Sequence, residues 1–267
     1  MTSVNTNIGA ILAQKFLRAN AADMAVTQNR VSSGLRVATV TDDASSFAVA
    51  AGIRGDIKAY TAVAAALQGG VVAGTVAVSA GEQISTRMGD IKAKLVQLSD
   101  ESLSTASRST YNADLQSMVE EVNGYLAQAE YTGRNLLGSG GSDLLIVSNI
   151  DGTTVTLRNN DVADLDLGGS IADNAAAQVA LADLATFKGE LDTALANLGA
   201  DLTRIKSQTE FIKQTEETVR IGLGALVDAD LARESAQLSA NQVRQQLGVQ
   251  AIGIANQQPQ QLLGLFR

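Results

Sequence analysis

The residues of this chain that could do chemistry are few and scattered. Adjacent carboxylates stand at Asp42-Asp43 and at Glu120-Glu121, and a looser set at Asp161, Asp164 and Asp166. Paired carboxylates act as general acid and base only when both reach the same site, and sequence neighbours on a helix point apart. The 161–166 aspartates lack the glycine and closing glutamate of an EF-hand calcium loop. Gly222-Leu223-Gly224 begins like a dinucleotide fingerprint, but it lies inside a heptad stretch rather than after a strand. The chain contains no His and no Cys. Imidazole bases, thiolate nucleophiles, disulfides, iron–sulfur clusters and thiolate zinc sites are thereby excluded. The remaining carboxylates, lysines, tyrosines and hydroxyls assemble no site. The chain is read as a non-enzyme, with no catalytic residue, no cofactor and no metal ligand.

Composition turns the question toward structure. Of 267 residues 45% are hydrophobic, yet only 3% are aromatic, with 5 Phe, 4 Tyr and no Trp. Large cores use aromatic rings, each burying roughly 150–250 Å²; a chain filled with Ala, Leu, Val and Ile instead suits thin seams between helices. The 20 basic and 28 acidic residues leave a net charge of −8. Without a basic stripe to displace phosphate counterions, no nucleic-acid partner is expected. Residues 59–81 carry no charge and are long enough to span a bilayer. They are mainly Ala, Val, Gly and Thr, however, with Gln68-Gly69-Gly70 in the middle, so insertion gains little. A buried bundle helix is expected there, and no membrane partner. Met1 to Asn7 lack the basic and apolar regions of a cleaved secretory signal.

Heptad periodicity gives the architecture. Leu191, Leu195, Leu198, Leu202, Ile205, Thr209, Ile212, Glu216, Val219, Leu223 and Leu226 follow alternating steps of four and three. Whether this seam packs within one chain or between chains is open at this point, with residues 57–98 as the intrachain partner. Shorter seams run through Ile57, Tyr60, Ala64, Leu67 and Val71; through Ile84, Met88, Ile91, Leu95 and Leu98; and through Tyr111, Leu115, Met118, Val122, Tyr125 and Ala129. Gly81 and Gly89 are expected to weaken the long helix, by about 1 kcal/mol each. A helix break is expected between Ser99 and Ser109, with the next helix starting near Arg108. Leu144–Val147 and Thr154–Leu157 are β-prone runs flanking the turn signal Asp151-Gly152. Helical spacing resumes near Ala175. The fold class is therefore mainly α: a long antiparallel, coiled-coil-like helical bundle with a small β-hairpin insert at about 138–170.

The ends differ from the middle. Ile8, Ile11, Leu12, Phe16, Ala19, Ala22 and Val26 mark a helical face at the start, and Val243, Leu247, Ala251 and Ile254 another near the end. Between Leu238 and Phe266 the only charge is Arg244. A soluble helix ordinarily shows water a charged face. These segments read as helices that order when copies assemble, or alternatively as flexible tails.

Short motifs at both ends carry a resemblance. Ser3-Val4-Asn5-Thr6-Asn7, Val31-Ser32-Ser33-Gly34-Leu35-Arg36 with Asp42-Asp43-Ala44, Ala255-Asn256-Gln257-Gln258-Pro259-Gln260 and Leu262-Leu263-Gly264-Leu265-Phe266-Arg267 stand in this order around the heptads. With Ile91–Val96 and Leu226–Asp230, they resemble bacterial flagellins, in particular short alphaproteobacterial ones, over about residues 1–138 and 171–267. The resemblance implies a self-polymerising structural subunit of the flagellar filament. It implies a terminal helical pair, 1–43 with 227–267, as the filament inner core, and a rod-like helical domain over 44–226. It points to Asn5, Asn7, Ile8, Ile11, Leu12, Phe16, Leu247, Ile254, Asn256, Pro259, Leu262, Leu263, Phe266 and Arg267 as self-assembly residues. Ser33, Gly34, Leu35, Arg36, Asp42 and Asp43 would form the turn joining the two domains.

Implied partners are other copies of the chain, the flagellar export apparatus and its chaperone, the filament cap and the hook-associated proteins. The implied location is the extracellular filament. A hook-associated junction protein and a secreted, membrane-active helical bundle are the alternatives. The middle, about Gly138 to Gly169, is too short for the outer domains of many flagellins, so a thin filament is expected. Asp90-Ile91-Lys92-Ala93-Lys94 does not match the basic cluster through which Toll-like receptor 5 recognises some family members. Simpler roles stand beside these: Asp42 and Asp43 as helix N-caps, Gly34 as a positive-φ turn residue, and Pro259 as the stop of the last helix.

Overall fold

A computed structural model of the chain describes residues 6–264, with side chains as far as Gln257. Among the described residues there are five helices: α1 Ile8–Ser33, α2 Ala44–Leu98, α3 Thr105–Gln128, α4 Asn174–Val227 and α5 Leu231–Gly264. Four short strands lie between α3 and α4: β1 Glu130–Tyr131, β2 Arg134–Asn135, β3 Leu144–Val147 and β4 Thr154–Leu157. The chain is mainly α with a small antiparallel insert. It divides into two compact units, Met1–Gly55 with Thr218–Arg267, and Asp56–Glu217. Both boundaries fall inside helices, in α2 and in α4.

The 56–217 unit holds the seams. Leu67, Ile84, Met88, Ile91, Leu95 and Leu98 of α2 are buried with Leu191, Leu198, Ile205 and Ile212 of α4 in one apolar core. The α4 seam therefore packs within the chain over this stretch. Its polar member Thr209 is buried and donates its hydroxyl to the Ile205 carbonyl of its own helix, which removes the cost of burying it. The uncharged stretch 59–81 contributes Val63, Leu67, Ala73 and Ala77 to this protein core.

The glycines of α2 divide into two kinds. A Cβ built on Gly74 would lie 2.6 Å from Leu202 Cδ2, and one on Gly81 would lie 2.6 Å from Leu195 Cδ2. One heptad forward on α2 is thus one heptad back on α4, so the helices run antiparallel. Gly81 lowers helix propensity as expected but admits the Leu195 side chain, whereas Gly89 faces open space.

The break after α2 is shorter than its sequence suggests. α3 starts at Thr105, not near Arg108, because Ser104 caps it by accepting from the Ser107 N–H. Arg108 instead reaches back to the Leu98 and Asp100 carbonyls and holds the turn. β3 and β4 pair antiparallel from Leu144↔Leu157 to Val147↔Thr154. Ile146 and Leu157 enter the core while Leu145 and Val147 face out.

The stretch after β4, where Asp161, Asp164 and Asp166 stand, is an ordered part of the core. Val162, Leu165, Leu167 and Ile171 are buried. Two asparagines of α3 hold its backbone. Asn112 pairs with both backbone groups of Ile171, and Asn123 with both of Leu165. Asp161 and Asp166 accept from the Gly140 and Gly168 N–H groups rather than facing one another. Among the described residues, no three metal-ligating side chains come together.

Candidate functional site

The terminal unit places most of the residues that the motifs single out. α1 and α5 lie side by side, antiparallel, as their cross-links show: Asn7 to Ala255, Asn20 to Asn241, and Arg30 to Glu234. The surfaces they turn toward each other mix small, polar and apolar residues, and leave many of the large apolar side chains outside. On α1, Ala10, Ala13, Leu17, Asn20, Met24, Thr27 and Val31 are half-buried or buried at heptad spacing. On α5 the matching positions are Glu234, Leu238, Asn241, Gln245, Gly248, Ile252 and Ala255. Small and polar residues dominate this seam. A Cβ on Gly248 would lie 2.7 Å from Leu17 Cδ1, so the glycine makes room for the largest apolar knob of α1.

Ile8 (69% exposed), Ile11, Leu12, Phe16 (66%), Leu247 (57%) and Ile254 (67%) all point away from the partner helix. Val26, Val243 and Val249 do the same, and Asn256 is exposed. The amphipathicity of the pair is turned outward. A pair built to be stable alone would place these side chains in the seam, since full burial of each is worth about 1.5–3 kcal/mol.

Pro259, Leu262 and Leu263 fall within α5, beyond the last described side chain. Asn5, Phe266 and Arg267 lie outside the described residues. Pro259 does not stop the last helix: α5 continues to Gly264. A proline inside a helix removes one hydrogen bond, to the carbonyl four residues earlier, and the helix persists where another group satisfies that carbonyl.

The turn residues form a compact joint. Gly34 ends α1 in the left-handed region, φ 71°, and donates its N–H to Arg30 O. The Ser33 hydroxyl accepts from the Leu35 N–H at 3.2 Å. Leu35 then makes an antiparallel bridge with Asp228. The Arg36 and Val37 N–H groups both donate to the Val227 carbonyl, and Ala229 N–H donates to Gly34 O. The Arg36 guanidinium donates to Leu226 O at 2.6 Å. The exit of α1 is thereby laced to the α4–α5 connection, over a small core of Val37, Ala50 and Val227 flanked by Leu35, Phe47, Leu223 and Leu226.

The two aspartates have different jobs. Asp43 caps α2: its Oδ1 accepts from the Ser45 and Ser46 N–H groups, and its Oδ2 from the Ser46 hydroxyl at 2.6 Å. The Asp42 carboxylate accepts from the N–H groups of Ala38 and Thr39 and from the Thr39 hydroxyl, closing the loop before the helix. Each is held below the usual carboxylate range, Asp42 first by the Thr39 N–H and Asp43 first by the Ser46 hydroxyl.

A cleft of about 750 Å³ lies against this joint, lined by Arg30, Arg36, Arg233, Asp23, Asp230 and Glu234 among others. Both charge signs are interleaved there, and Asp230 is already engaged with the Ala232 and Arg233 N–H groups at the start of α5.

Asn20, Asn241, Leu17 and Gly248 belong to the seam, although none of them lies among the terminal motifs or on the apolar faces. Their heptad spacing is present in the sequence, but polar and small side chains do not announce a packed face.

Comparison with known proteins agrees with the terminal motifs. Residues 4–140 match the bacterial flagellin N-terminal helical region, and residues 181–266 match the bacterial flagellin C-terminal helical region. A flagellin of Brucella melitensis biotype 1 is 37% identical over 100% of both chains. Flagellin FljM and flagellin FljO of Caulobacter vibrioides are 32% and 33% identical, over 100% of this chain and 99% of theirs.

Proposed function

The chain belongs to the bacterial flagellin family and is a structural subunit of the flagellar filament; from that premise we infer that it polymerises through the outward apolar faces of α1 and α5. The carrying observation is the exposure of Ile8, Ile11, Leu12, Phe16, Leu247 and Ile254 on a pair whose own seam does not use them. Such faces are costly in water and gain their burial when neighbouring subunits cover them. Residues 1–43 and 227–267 then form the filament inner core, while the rod-like remainder, with its internal apolar core, folds without neighbours. Asn5, Asn7, Asn256, Pro259, Leu262, Leu263, Phe266 and Arg267 belong to the same assembling region. Ser33, Gly34, Leu35, Arg36, Asp42 and Asp43 belong to the joint that positions it.

The working location in this reading is outside the cell. The chain reaches it through the flagellar export apparatus with a chaperone, and adds under the filament cap beyond the hook-associated proteins. Its activity is mechanical rather than enzymatic. The short segment between α3 and α4 adds little bulk, so the filament is thin.

Removal of residues 241–267 tests this. The truncated chain should remain a soluble, helical monomer that does not elongate filament seeds. Long filaments from that truncated chain would refute the terminal-core assignment.

A further inference from the structure

Asn7 and Pro259 are connected through a single carbonyl. A helical N–H ordinarily donates to the carbonyl four residues earlier, and proline has no N–H. In α5 the carbonyl that Pro259 leaves without its donor is that of Ala255. Asn7 supplies a replacement: its Nδ2 donates to Ala255 O at 2.7 Å. The other end of the same amide caps α1, with Oδ1 accepting from the Ala10 N–H at 3.1 Å. One bond needs a donor and the other an acceptor, so together they fix which way the amide faces.

The spacing of the helices permits so short a side chain to bridge them. A Cβ on Gly9 would come within 3.6 Å of Ala255 Cβ, so the backbones approach closely here. Further along the pair, Asn20 Nδ2 donates to the Asn241 carbonyl at 2.8 Å. That bond repeats the mode, an α1 asparagine on an α5 carbonyl, without a proline to explain it.

We propose that Asn7 is a positioning residue for polymerisation, acting as the donor that Pro259 removed from α5. It ties the first turn of α1 to the point in the last helix where Pro259 removes a backbone donor. A carbonyl left free at such a point draws in water and the helix kinks there. With Asn7 on that carbonyl, the turns after Pro259 keep one direction. This rests on the filament reading and deepens it.

The test is a double-mutant cycle on the full chain. Asn7→Ser keeps an N-cap acceptor but is too short to reach Ala255. Pro259→Ala returns an N–H to the Ala255 carbonyl and makes the Asn7 donor redundant. The critical concentration for elongation of preformed wild-type seeds is measured for the wild type, both single variants and the double variant. Asn7→Ser alone should raise it about fivefold, the size expected for one neutral hydrogen bond. In the Pro259→Ala background the same change should shift it less than about twofold. An equal shift in both backgrounds, or no shift from Asn7→Ser alone, overturns the proposal while leaving the filament reading intact. A wild-type chain that does not elongate the seeds overturns the filament reading, and the proposal with it.

Discussion

Asn112 forms a closed pair with Ile171: its Nδ2 donates to the Ile171 carbonyl at 3.0 Å, and its Oδ1 accepts from the Ile171 N–H at 2.8 Å. Both bonds are buried. An asparagine side chain here takes the place of a neighbouring strand for a stretch of chain that has none. Asn123 does the same for Leu165 at 3.0 and 2.8 Å.

Asn112→Ala should therefore destabilise the 56–217 unit by about 1–3 kcal/mol, because it leaves a buried N–H and a buried carbonyl without partners. Asn123→Ala should cost less, as its site is only partly buried. Urea unfolding followed by circular dichroism measures both. Loss of less than about 0.5 kcal/mol from Asn112→Ala would mean that the Asn112–Ile171 pair contributes little to holding the 162–171 segment.

Acid should weaken the same unit through Asp201, whose side chain is 5% exposed. Its carboxylate accepts from Arg158 Nε at 3.0 Å, Arg158 Nη2 at 3.1 Å and the Arg158 N–H at 3.1 Å. Burial pushes its pKa up, but the Arg158 hydrogen bonds, followed by the charges of Arg158 and Arg204, bring it below the ordinary 3.8. A depressed folded-state pKa contributes stability above the unfolded value and loses it as pH falls through the folded one. Asp201→Asn should cost about 1.5–3 kcal/mol at neutral pH and flatten the fall in stability below about pH 4. A variant whose acid limb is as steep as that of the wild type would show that other carboxylates set it.

Two glycine-to-alanine changes in α2 should have opposite signs. Gly89→Ala enters open space and should stabilise by about 0.5–1 kcal/mol through helix propensity. At Gly74 a Cβ would meet Leu202 Cγ at 3.0 Å and Leu157 Cδ2 at 3.3 Å, both in the core. Overpacking there costs about 1–3 kcal/mol, more than the propensity gain. Thermal melts of the two variants should move in opposite directions; a rise for both would show that the α2–α4 contact yields easily.

Phe16→Ser and Ile254→Ser should separate assembly from folding. Both side chains are exposed, so the monomer's melting should shift by less than about 0.5 kcal/mol. The critical concentration for elongation should rise at least about tenfold, since each burial at a subunit contact is worth about 1.5–3 kcal/mol. Unchanged elongation would place these faces outside the assembly contacts.

A large part of the fold is legible in the sequence. The Leu191 to Ile212 steps announce a helix and its buried stripe, because a repeat of three and four places side chains on one face whatever they pack against. Leu144–Val147, Asp151-Gly152 and Thr154–Leu157 announce the hairpin, since its turn and strands are local. The 162–171 segment is not legible in this way. Its order draws on Asn112, Asn123 and the Leu137 carbonyl, all distant in the chain, and no local pattern marks an asparagine as a substitute strand.

The terminal pair divides the two kinds of information most sharply. The sequence determines that residues 8–26 and 243–254 are helical with an apolar face, and that Arg244 is the only charge between Leu238 and Phe266. Periodicity shows that such a face exists; it does not say what covers it. The tertiary structure decides that Asn20, Asn241, Leu17 and Gly248 fill the seam while Phe16 and Ile254 face outward. Small residues allow close backbone approach, and asparagine amides can reach carbonyls across it. The pair is therefore held by a mixed face of small, polar and apolar side chains, while Phe16, Ile254 and their neighbours stay exposed.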